Sequence, residues 1–372
     1  MKLFQQLLVA PAALGLLAPL SASASEINLD AISDYSENNL EIDSNSFKQE
    51  SSNNILLSGG EGLVEGSEST GGFSETTTAS FGVDFLVGAV DGASNEATTF
   101  DYQMGIGLET SFTGEDSLSA TIDIGNASSV IGGTTGLNFD GTTDALQLDG
   151  LSYTFPLGGA TVMVGDNTDI SAVYTGACAY SSFTDYMGNC GTGNSVGVGG
   201  NGVTAAMSYA FDGGFSLAGG ISSTQTTDAG AVPGLLTEAG VDIYGIEAAY
   251  TADSYGVSVA YSDNESSTFW GINGNYAFDF ATLSVGVESE DTGSTTKEGF
   301  FVGLSFPEVG AGSFDIGMGT TGNFADRDTE YYIYEASYAY PVNDGMTLTP
   351  GIYIREGSTD ETGFAVKTSF SF

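Results

Sequence analysis

Apolar and polar residues alternate with a period of two through most of the chain after Thr76. In Phe100–Glu109 (FDYQMGIGLE) every even-numbered residue is apolar or aromatic, and every odd-numbered one is acidic, an amide or glycine. Leu118–Ile124, Val203–Phe211 and Tyr255–Tyr261 follow the same pattern, with small residues on the polar face. Successive side chains of a β-strand point to opposite faces. The pattern therefore predicts a series of strands, each with one apolar and one polar face.

Strands of this kind occur in two classes of fold. A soluble β-sandwich buries the apolar faces in its core, whereas a transmembrane barrel turns them toward lipid. The sequence favours the barrel because the polar faces are small and acidic with hardly any lysine, and because short and long connections alternate. Aromatic residues also cluster toward strand ends, as the interfacial girdles of a membrane barrel require. They are Tyr250, Tyr261, Tyr276, Phe278, Tyr338 and Tyr340.

The sequence thus predicts an all-β fold, a transmembrane antiparallel up-and-down β-barrel of about 16 strands. Short periplasmic turns such as Leu157-Gly158 and Asp212-Gly213 are expected after even-numbered strands, and longer outer loops such as 126–142, 167–201 and 224–240 after odd-numbered ones. An even number of strands places both ends of the barrel on one side of the membrane. The predicted strands span 76–90, 98–112, 116–125, 143–156, 159–166, 202–211, 214–223, 241–251, 254–262, 267–279, 281–290, 297–306, 312–320, 329–340, 344–355 and 361–372.

Residues 1–24 have the features of a secretory signal peptide. Lys2 supplies a positive charge, Leu7–Leu20 is a short apolar stretch, and Ala22-Ser23-Ala24 offers small residues for cleavage. The apolar stretch is too short, and too broken by proline, for a membrane-spanning helix. An N-terminal membrane anchor is the alternative interpretation. We expect an exported protein.

The rest of the chain divides near residue 72. Residues 25–72 are acidic, rich in serine and asparagine and poor in large apolar residues, so we expect an acidic flexible N-terminal periplasmic segment. The barrel is expected at 73–372. Its last strand ends on the aromatic Phe372, which is typical of outer-membrane barrels and predicts recognition by the barrel-assembly machinery. We expect Phe364, Val366, Thr368, Phe370 and Phe372 to face lipid, and Ala365, Lys367, Ser369 and Ser371 to face the lumen.

The chain resembles the outer-membrane porins of cyanobacteria, which are related to carbohydrate-selective porins. The resemblance is carried by the start MKLFQQLLVAPAALGLLAP, by the following EINLDAISDYS, by the strands rich in glycine and tyrosine, and by the terminal SFSF. It implies a pore and, as in other sixteen-stranded porins, a homotrimer. Typical members also carry an S-layer homology domain and a coiled coil before the barrel. Residues 25–72 are too short for these, so peptidoglycan anchoring does not carry over with the pore.

Charge and missing residue types exclude several functions. The formal net charge is −42, and no lysine or arginine occurs between Lys48 and Lys297. Nucleic acid is excluded as a partner, because nothing could neutralise its phosphates. The sequence contains no histidine, which removes Ser-His-Asp hydrolysis, Cys-His nucleophilic pairs and histidine-based zinc sites. We expect no enzyme, no metal site and no cofactor.

Acidic residues fall on the polar face of many predicted strands. If that face lines a lumen, Asp84, Asp101, Glu109, Asp123, Glu247, Glu288, Asp315 and Glu335 point inward. A plain need for polarity explains polar residues here, but it does not explain their negative sign. Basic inward residues are confined to the C-terminal third, at Arg355, Lys367 and Lys297. The hypothesis is a strongly acidic wall faced by a small basic patch, which would produce a transverse field and a preference for cations.

Loop 167–201 is the longest candidate outer loop. We expect it to fold into the barrel as a constriction loop, with Asp169, Tyr174, Tyr180 and Asp185 facing the pore. Cys178 and Cys190 are expected to form a disulfide that restricts its freedom. The alternative is an ordinary external loop with a stabilising bridge.

These observations predict passive diffusion of small hydrophilic solutes and ions through an acidic, cation-preferring lumen. A solute-specific channel, for carbohydrates or metal ions, is the first alternative. Sugar selectivity would need an inward line of aromatic residues, for which Phe269, Phe301, Tyr331 and Tyr353 are candidates. The second alternative is a structural or adhesive β-protein of the cell surface.

Overall fold

The structure, a computed structural model, describes residues 76–92, 98–126, 141–187, 202–224, 234–237, 241–321 and 331–372. These ranges contain two short 3₁₀ helices, Ile170–Val173 and Asp185–Met187, and no helix with the length and apolar character that a membrane crossing needs. They form the strands β1 (Thr77–Asp91), β2 (Thr98–Thr110), β3 (Ser117–Gly125), β4 (Gln147–Leu157), β5 (Ala160–Thr168), β6 (Gly202–Ala210), β7 (Phe215–Thr224), β8 (Val241–Thr251), β9 (Tyr255–Asp263), β10 (Thr268–Ala277), β11 (Thr282–Asp291), β12 (Thr296–Val309), β13 (Gly312–Thr320), β14 (Tyr332–Asn343), β15 (Met346–Arg355) and β16 (Glu361–Ser371).

The strands close into one antiparallel barrel in which each strand pairs with its neighbours in the sequence. β1 pairs with β16 to complete the ring. The seam extends to the last residue: the Phe81 and Phe372 backbones exchange two N–H···O bonds of 3.0 Å each, and their rings stack with centroids 5.7 Å apart. The predicted up-and-down barrel of about 16 strands is confirmed.

Each strand has an exposed apolar face outside and a smaller, more polar face inside. On β9 the side chains of Tyr255, Val257, Val259 and Tyr261 are 40–48% exposed, whereas the residues between them are buried. The predicted alternation is thus confirmed as the difference between the outer and inner faces of the barrel.

Several predicted strand ends are wrong, and at β2 and β4 local hydrogen bonds or backbone angles stop the ladder. β14 was predicted at 329–340 and spans Tyr332–Asn343. β2 ends at Thr110 because the Asp116 carboxylate accepts from the backbone N–H groups of Phe112 and Thr113, at 2.9 and 2.7 Å. The Tyr153 hydroxyl donates to the same carboxylate at 2.6 Å, and this bond, with others from Thr113 and Ser111, holds the Asp116 pKa well below its usual range.

β4 begins at Gln147 and not at residue 143. Thr143 and Asp144 have φ angles of 55° and 63°, in the left-handed region that an extended strand excludes. β12 continues past Phe306 to Val309, but its register with β13 shifts there, where Pro307 lacks the N–H that a regular ladder needs.

Long and short connections alternate around most of the barrel, as predicted. Residues 264–267, 292–295 and 356–360 are exceptions, because they join β9 to β10, β11 to β12 and β15 to β16 by short turns on the long-loop side. The predicted signal peptide at 1–24, the segment at 25–72 and the first residues of the barrel domain lie outside the described residues and stay predictions.

Candidate pore and its inner loop

The first half of the long connection between β5 and β6 lies inside the barrel. We call residues 169–187 the inner loop. Its Ile170 packs with Met163, Ala206 and Ile243, which are inward-facing residues of β5, β6 and β8. Its Phe183 packs with Leu86 of β1 and Ala365 of β16. The inner loop therefore follows the inner surface from β5 around to the β16–β1 seam.

Glu247 of β8 fixes the early part of the inner loop. Its carboxylate accepts from the Thr175 N–H at 2.7 Å and from the Gly176 N–H at 2.9 Å. Its side chain is only 1% exposed. The Ser216 hydroxyl of β7 adds a bond of 2.9 Å to the Thr175 hydroxyl. Glu247 points inward as predicted, but it holds the loop backbone.

The middle of the inner loop is bonded to the next strands in turn. The Asn275 amide of β10 donates to the Ala177 carbonyl at 2.9 Å. The Ala179 N–H donates to the Ser284 hydroxyl of β11 at 3.1 Å. Backbone groups of the loop that would otherwise be buried without partners are thereby satisfied.

Glu335 of β14 is the strongest anchor. It is 2% exposed and accepts from the Tyr180 hydroxyl (2.9 Å), the Phe183 N–H (2.7 Å), the Thr184 N–H (2.9 Å) and the Thr184 hydroxyl (2.6 Å). A buried carboxylate is costly unless hydrogen bonds compensate for lost water, and bonds to an ionised acceptor are the strong kind. Four donors from the loop provide that compensation.

Apolar and aromatic contacts complete the attachment. The Tyr180 ring lies 5.2 Å from that of Phe301 on β12. Near the end of the inner loop, the Tyr186 ring lies 5.6 Å from that of Tyr353, and the Arg355 guanidinium sits 4.2 Å from the centre of the Tyr186 ring. The loop is therefore held by both its polar backbone and its side chains.

The predicted constriction residues take different positions. Asp169 caps the first 3₁₀ helix, accepting from the Ser171 N–H at 2.7 Å. Tyr174 and Tyr180 lie against the wall, where burial, together with nearby Glu247 for Tyr174 and Glu335 for Tyr180, raises each hydroxyl pKa far above its ordinary value. Both hydroxyls therefore stay neutral.

Two further predictions for the loop involve residues that the structure describes only in part. Asp185 lies in the second 3₁₀ helix, and its side chain is outside what the structure describes. Cys178 is one half of a disulfide, while Cys190 lies outside the described residues, so the pairing of these two cysteines stays a prediction.

The predicted inward acids form two groups. We call the inner face of β8–β15 the covered wall, and that of β1–β3 apart from Leu86 and Val90, which lie beneath the loop, the open wall. Acids of the covered wall are buried or half-buried: Glu247, Glu288, Asp315 and Glu335. Those of the open wall are half-buried or exposed: Asp84, Asp101, Glu109 and Asp123. Asp84 accepts from the Gln103 amide at 2.9 Å, so neighbouring polar groups of the open wall also contact one another.

Two of the three predicted inward cations lie beside the open wall and not across the barrel from it. Arg355 pairs with Glu361 at 3.3 Å, and Lys297 pairs with Glu290 at 3.9 Å. Lys367 lies on β16, which is hydrogen-bonded to the strand of Asp84. For Arg355 and Lys367 the predicted position is wrong, because β15 and β16 are next to β1 around the ring. Lys297 lies on β12, farther around the ring.

The predicted line of inward aromatic residues is buried. Phe269, Phe301 and Tyr353 are 4%, 1% and 2% exposed, and Tyr331 is half-buried just before β14. Phe301 and Tyr353 are covered by Tyr180 and Tyr186 of the inner loop. Their inward direction agrees with the prediction, but these four side chains do not form an exposed aromatic track for a sugar.

Sequence reasoning missed the inward apolar residues beneath the loop. Leu86, Val90 and Ile333 occupy inward positions and are 0–2% exposed. The available signal was a break in the alternation, since 85–90 (FLVGAV) is apolar on both faces. An inward face that is apolar must be covered by something else in the chain. Within the described residues, no group of acids or cysteines is arranged to hold a metal ion.

Solved structures share this architecture. Pseudomonas putida OprB superposes with a TM-score of 0.61 at 12% sequence identity, covering 80% of this chain and 94% of that one. A triple mutant of Rhodopseudomonas blastica porin superposes with a TM-score of 0.54 at 18% identity, covering 80% and 100%. The chain matches no protein-family model. It is not significantly similar in sequence to any curated protein. The likeness establishes a porin-like barrel fold.

Proposed function

We propose that this chain forms an outer-membrane channel through which small hydrophilic solutes and ions diffuse passively, with a preference for cations. The observation that carries the proposal is a closed barrel with an apolar exterior, an acidic open wall and an inner loop fastened to the opposite inner surface. Porin-like barrels among the solved structures support the same function.

The exterior supports a lipid environment. Large apolar side chains are exposed along the barrel, including Val259, Trp270, Ile272 and Ile354 at 41–48%. Soluble monomers rarely expose contiguous apolar surface on this scale. A lipid-facing band of such residues between aromatic girdles is the usual surface of an outer-membrane barrel.

The open wall supports cation preference. Asp84, Asp101 and Asp123 lie on three adjacent strands and are half-buried at most. Rings or rows of carboxylates in a narrow aqueous path favour cations, since the local field raises their concentration. Because Arg355 and Lys297 are each paired with a glutamate, they oppose this field less than free cations would. Burial of the aromatic candidates gives no support to a sugar channel.

Several finer features belong to the same proposal. We take residues 1–24 as an export signal, 25–72 as a periplasmic segment, and Cys178 and Cys190 as a bridge in the loop. The last strand, sealed to β1 by Phe372, is the segment for the assembly machinery to recognise. Membership in the cyanobacterial porins and assembly as a homotrimer rest on the resemblance of the sequence.

Purified chain refolded in detergent and added to planar bilayers tests the proposal. We expect discrete conductance steps, and migration in gels that changes on heating, as barrels resist detergent when unheated. Covalent cross-linking and native mass spectrometry should give three copies. A folded barrel that produces no conductance would contradict the channel and favour a structural surface protein. Block of the current by a sugar at low concentration would favour the carbohydrate-specific alternative.

A further inference from the structure

Glycine residues of the covered wall lie where aromatic side chains of the inner loop touch it. Phe183 lies against Gly351 of β15, and Tyr180 lies against Gly303 of β12 and Gly317 of β13. A Cβ atom at position 351 would come within 2.4 Å of the Phe183 Cζ. One at position 303 would come within 2.4 Å of the Tyr180 ring, and one at 317 within 2.7 Å of its hydroxyl. These distances are well inside van der Waals contact.

At two glycine residues of the open wall, an added Cβ atom would make no close contact. Gly82 of β1 is also an inward strand position, and a Cβ there would meet nothing within 4 Å. The nearest atom to a Cβ at Gly105 would be Asp123 Oδ1 at 3.4 Å, an ordinary contact distance. A side chain at Gly303, Gly317 or Gly351 would therefore displace an aromatic ring of the inner loop, whereas one at Gly82 or Gly105 would not.

We infer that Gly303, Gly317 and Gly351 set the width of the pore by letting the inner loop lie directly on the strand backbones. This inference rests on the proposed channel function, and it names the residues that determine the width of that channel. Because glycine has no side chain, the loop lies closer to the wall at each of these positions. The open passage beside the loop is wider by the same distance.

The direction of the effect follows from the anchors. Glu335 holds the Tyr180 hydroxyl and the Phe183 and Thr184 N–H groups, so the loop cannot slide freely along the wall. Behind the loop lies the continuous hydrogen-bonded sheet. A methyl group added at Gly351 would displace the Phe183 ring, and since the sheet lies behind the ring and Leu86 and Ala365 pack against it, the displacement is toward the pore axis and narrows the passage.

The test compares Gly351→Ala with the matched control Gly82→Ala. We expect lower single-channel conductance and a smaller size limit for neutral polymers with Gly351→Ala, and values near wild type with Gly82→Ala. The double variant Gly351→Ala/Phe183→Ala removes the ring that the methyl group would displace, so it should recover conductance relative to Gly351→Ala. Equal or higher conductance for Gly351→Ala, or no recovery in the double variant, would overturn the inference.

Unfolding of these four proteins and of Phe183→Ala alone, in detergent, separates this inference from the channel function. Gly351→Ala should lower the free energy of unfolding of the wild-type chain, and it should lower that of the Phe183→Ala chain much less, whether or not the barrel conducts. If the two substitutions affect unfolding together in this way but no variant conducts, the contact between Phe183 and Gly351 is supported and the channel function is rejected. If wild type conducts but the two substitutions act independently on unfolding, the channel function is supported and this inference is rejected. If neither Gly351→Ala nor the double variant folds while Gly82→Ala does, the clash is not with Phe183 and the inference fails.

Discussion

The covered wall and the open wall carry the same kind of inward carboxylate but use it differently. Glu335 and Glu247 are buried and accept hydrogen bonds from the inner loop, whereas Asp84 and Glu109 are half-buried and exposed on β1 and β2. Strand parity is the same in both cases. The difference shows that the direction of a side chain follows from the alternation, while its role depends on whether another segment covers it.

The largest effect is expected at Glu335. Replacing it with alanine leaves two loop N–H groups and two hydroxyls without their acceptor, and each buried unsatisfied group costs about 1–3 kcal/mol. We expect Glu335→Ala to lower the free energy of unfolding by about 3–5 kcal/mol and to make the open current noisy. Denaturant titration in detergent measures the first effect, and single-channel recording the second. Glu335→Gln keeps one carbonyl acceptor and should lose less; equal loss would show that the bonds are not the cause.

Glu247 should have a smaller effect because it binds only two loop N–H groups. We expect Glu247→Ala to cost about 2 kcal/mol, measured by the same titration. Because Glu335 still holds the later residues, the current noise should rise less than in Glu335→Ala. A loss equal to that of Glu335→Ala would mean that the loop is released as one unit.

Acids of the open wall should affect selectivity and hardly affect stability. Asp84→Asn/Asp101→Asn removes two negative charges from the proposed cation path, so the reversal potential in a salt gradient should move toward zero. Asparagine keeps a side-chain oxygen that can still accept a hydrogen bond, such as the one from Gln103 to residue 84, so unfolding should change by no more than about 0.5 kcal/mol per site.

Glu298→Gln/Glu308→Gln is the matched control, since it removes two charges from exposed residues of β12. Its reversal potential should stay near that of wild type. An equal shift in both double variants would indicate an effect of total charge and not of the open wall.

At Arg355 we expect a small loss of stability and no marked change in selectivity. Its side chain is 31% exposed, pairs with Glu361 at 3.3 Å and lies over the Tyr186 ring. Such partly exposed contacts contribute about 0.5–1 kcal/mol each. Arg355→Gln should therefore destabilise the barrel by about 1 kcal/mol, in thermal or denaturant unfolding. Arg355→Lys keeps the charge but not the flat guanidinium, and it should restore only part of the loss.

The strands and their faces could be predicted from the sequence because each is encoded locally. The pattern around Tyr255–Tyr261 specifies one strand without reference to any other. Strand ends at Thr110 and Gln147 were missed because they depend on the Asp116 cap and on left-handed backbone at Thr143 and Asp144. These features have no periodic signature.

The inner loop was predicted to enter the barrel, but its contacts could not be predicted. Glu335 and Thr184 are far apart in the sequence, and their bond exists only because the barrel closes. The same limit applies to Phe301 and Tyr353: parity predicted their direction, while the covering residues Tyr180 and Tyr186 come from the loop.

The sign of the reversal potential is the most direct test of the central claim. Wild-type chain in a planar bilayer between two concentrations of potassium chloride should give a potential of the sign that potassium permeation produces. The acidic open wall predicts this result. The potential should be smaller at high salt, because screening by ions shortens the range over which the carboxylates act. A potential of the chloride-selective sign, or none at low salt, would contradict the account.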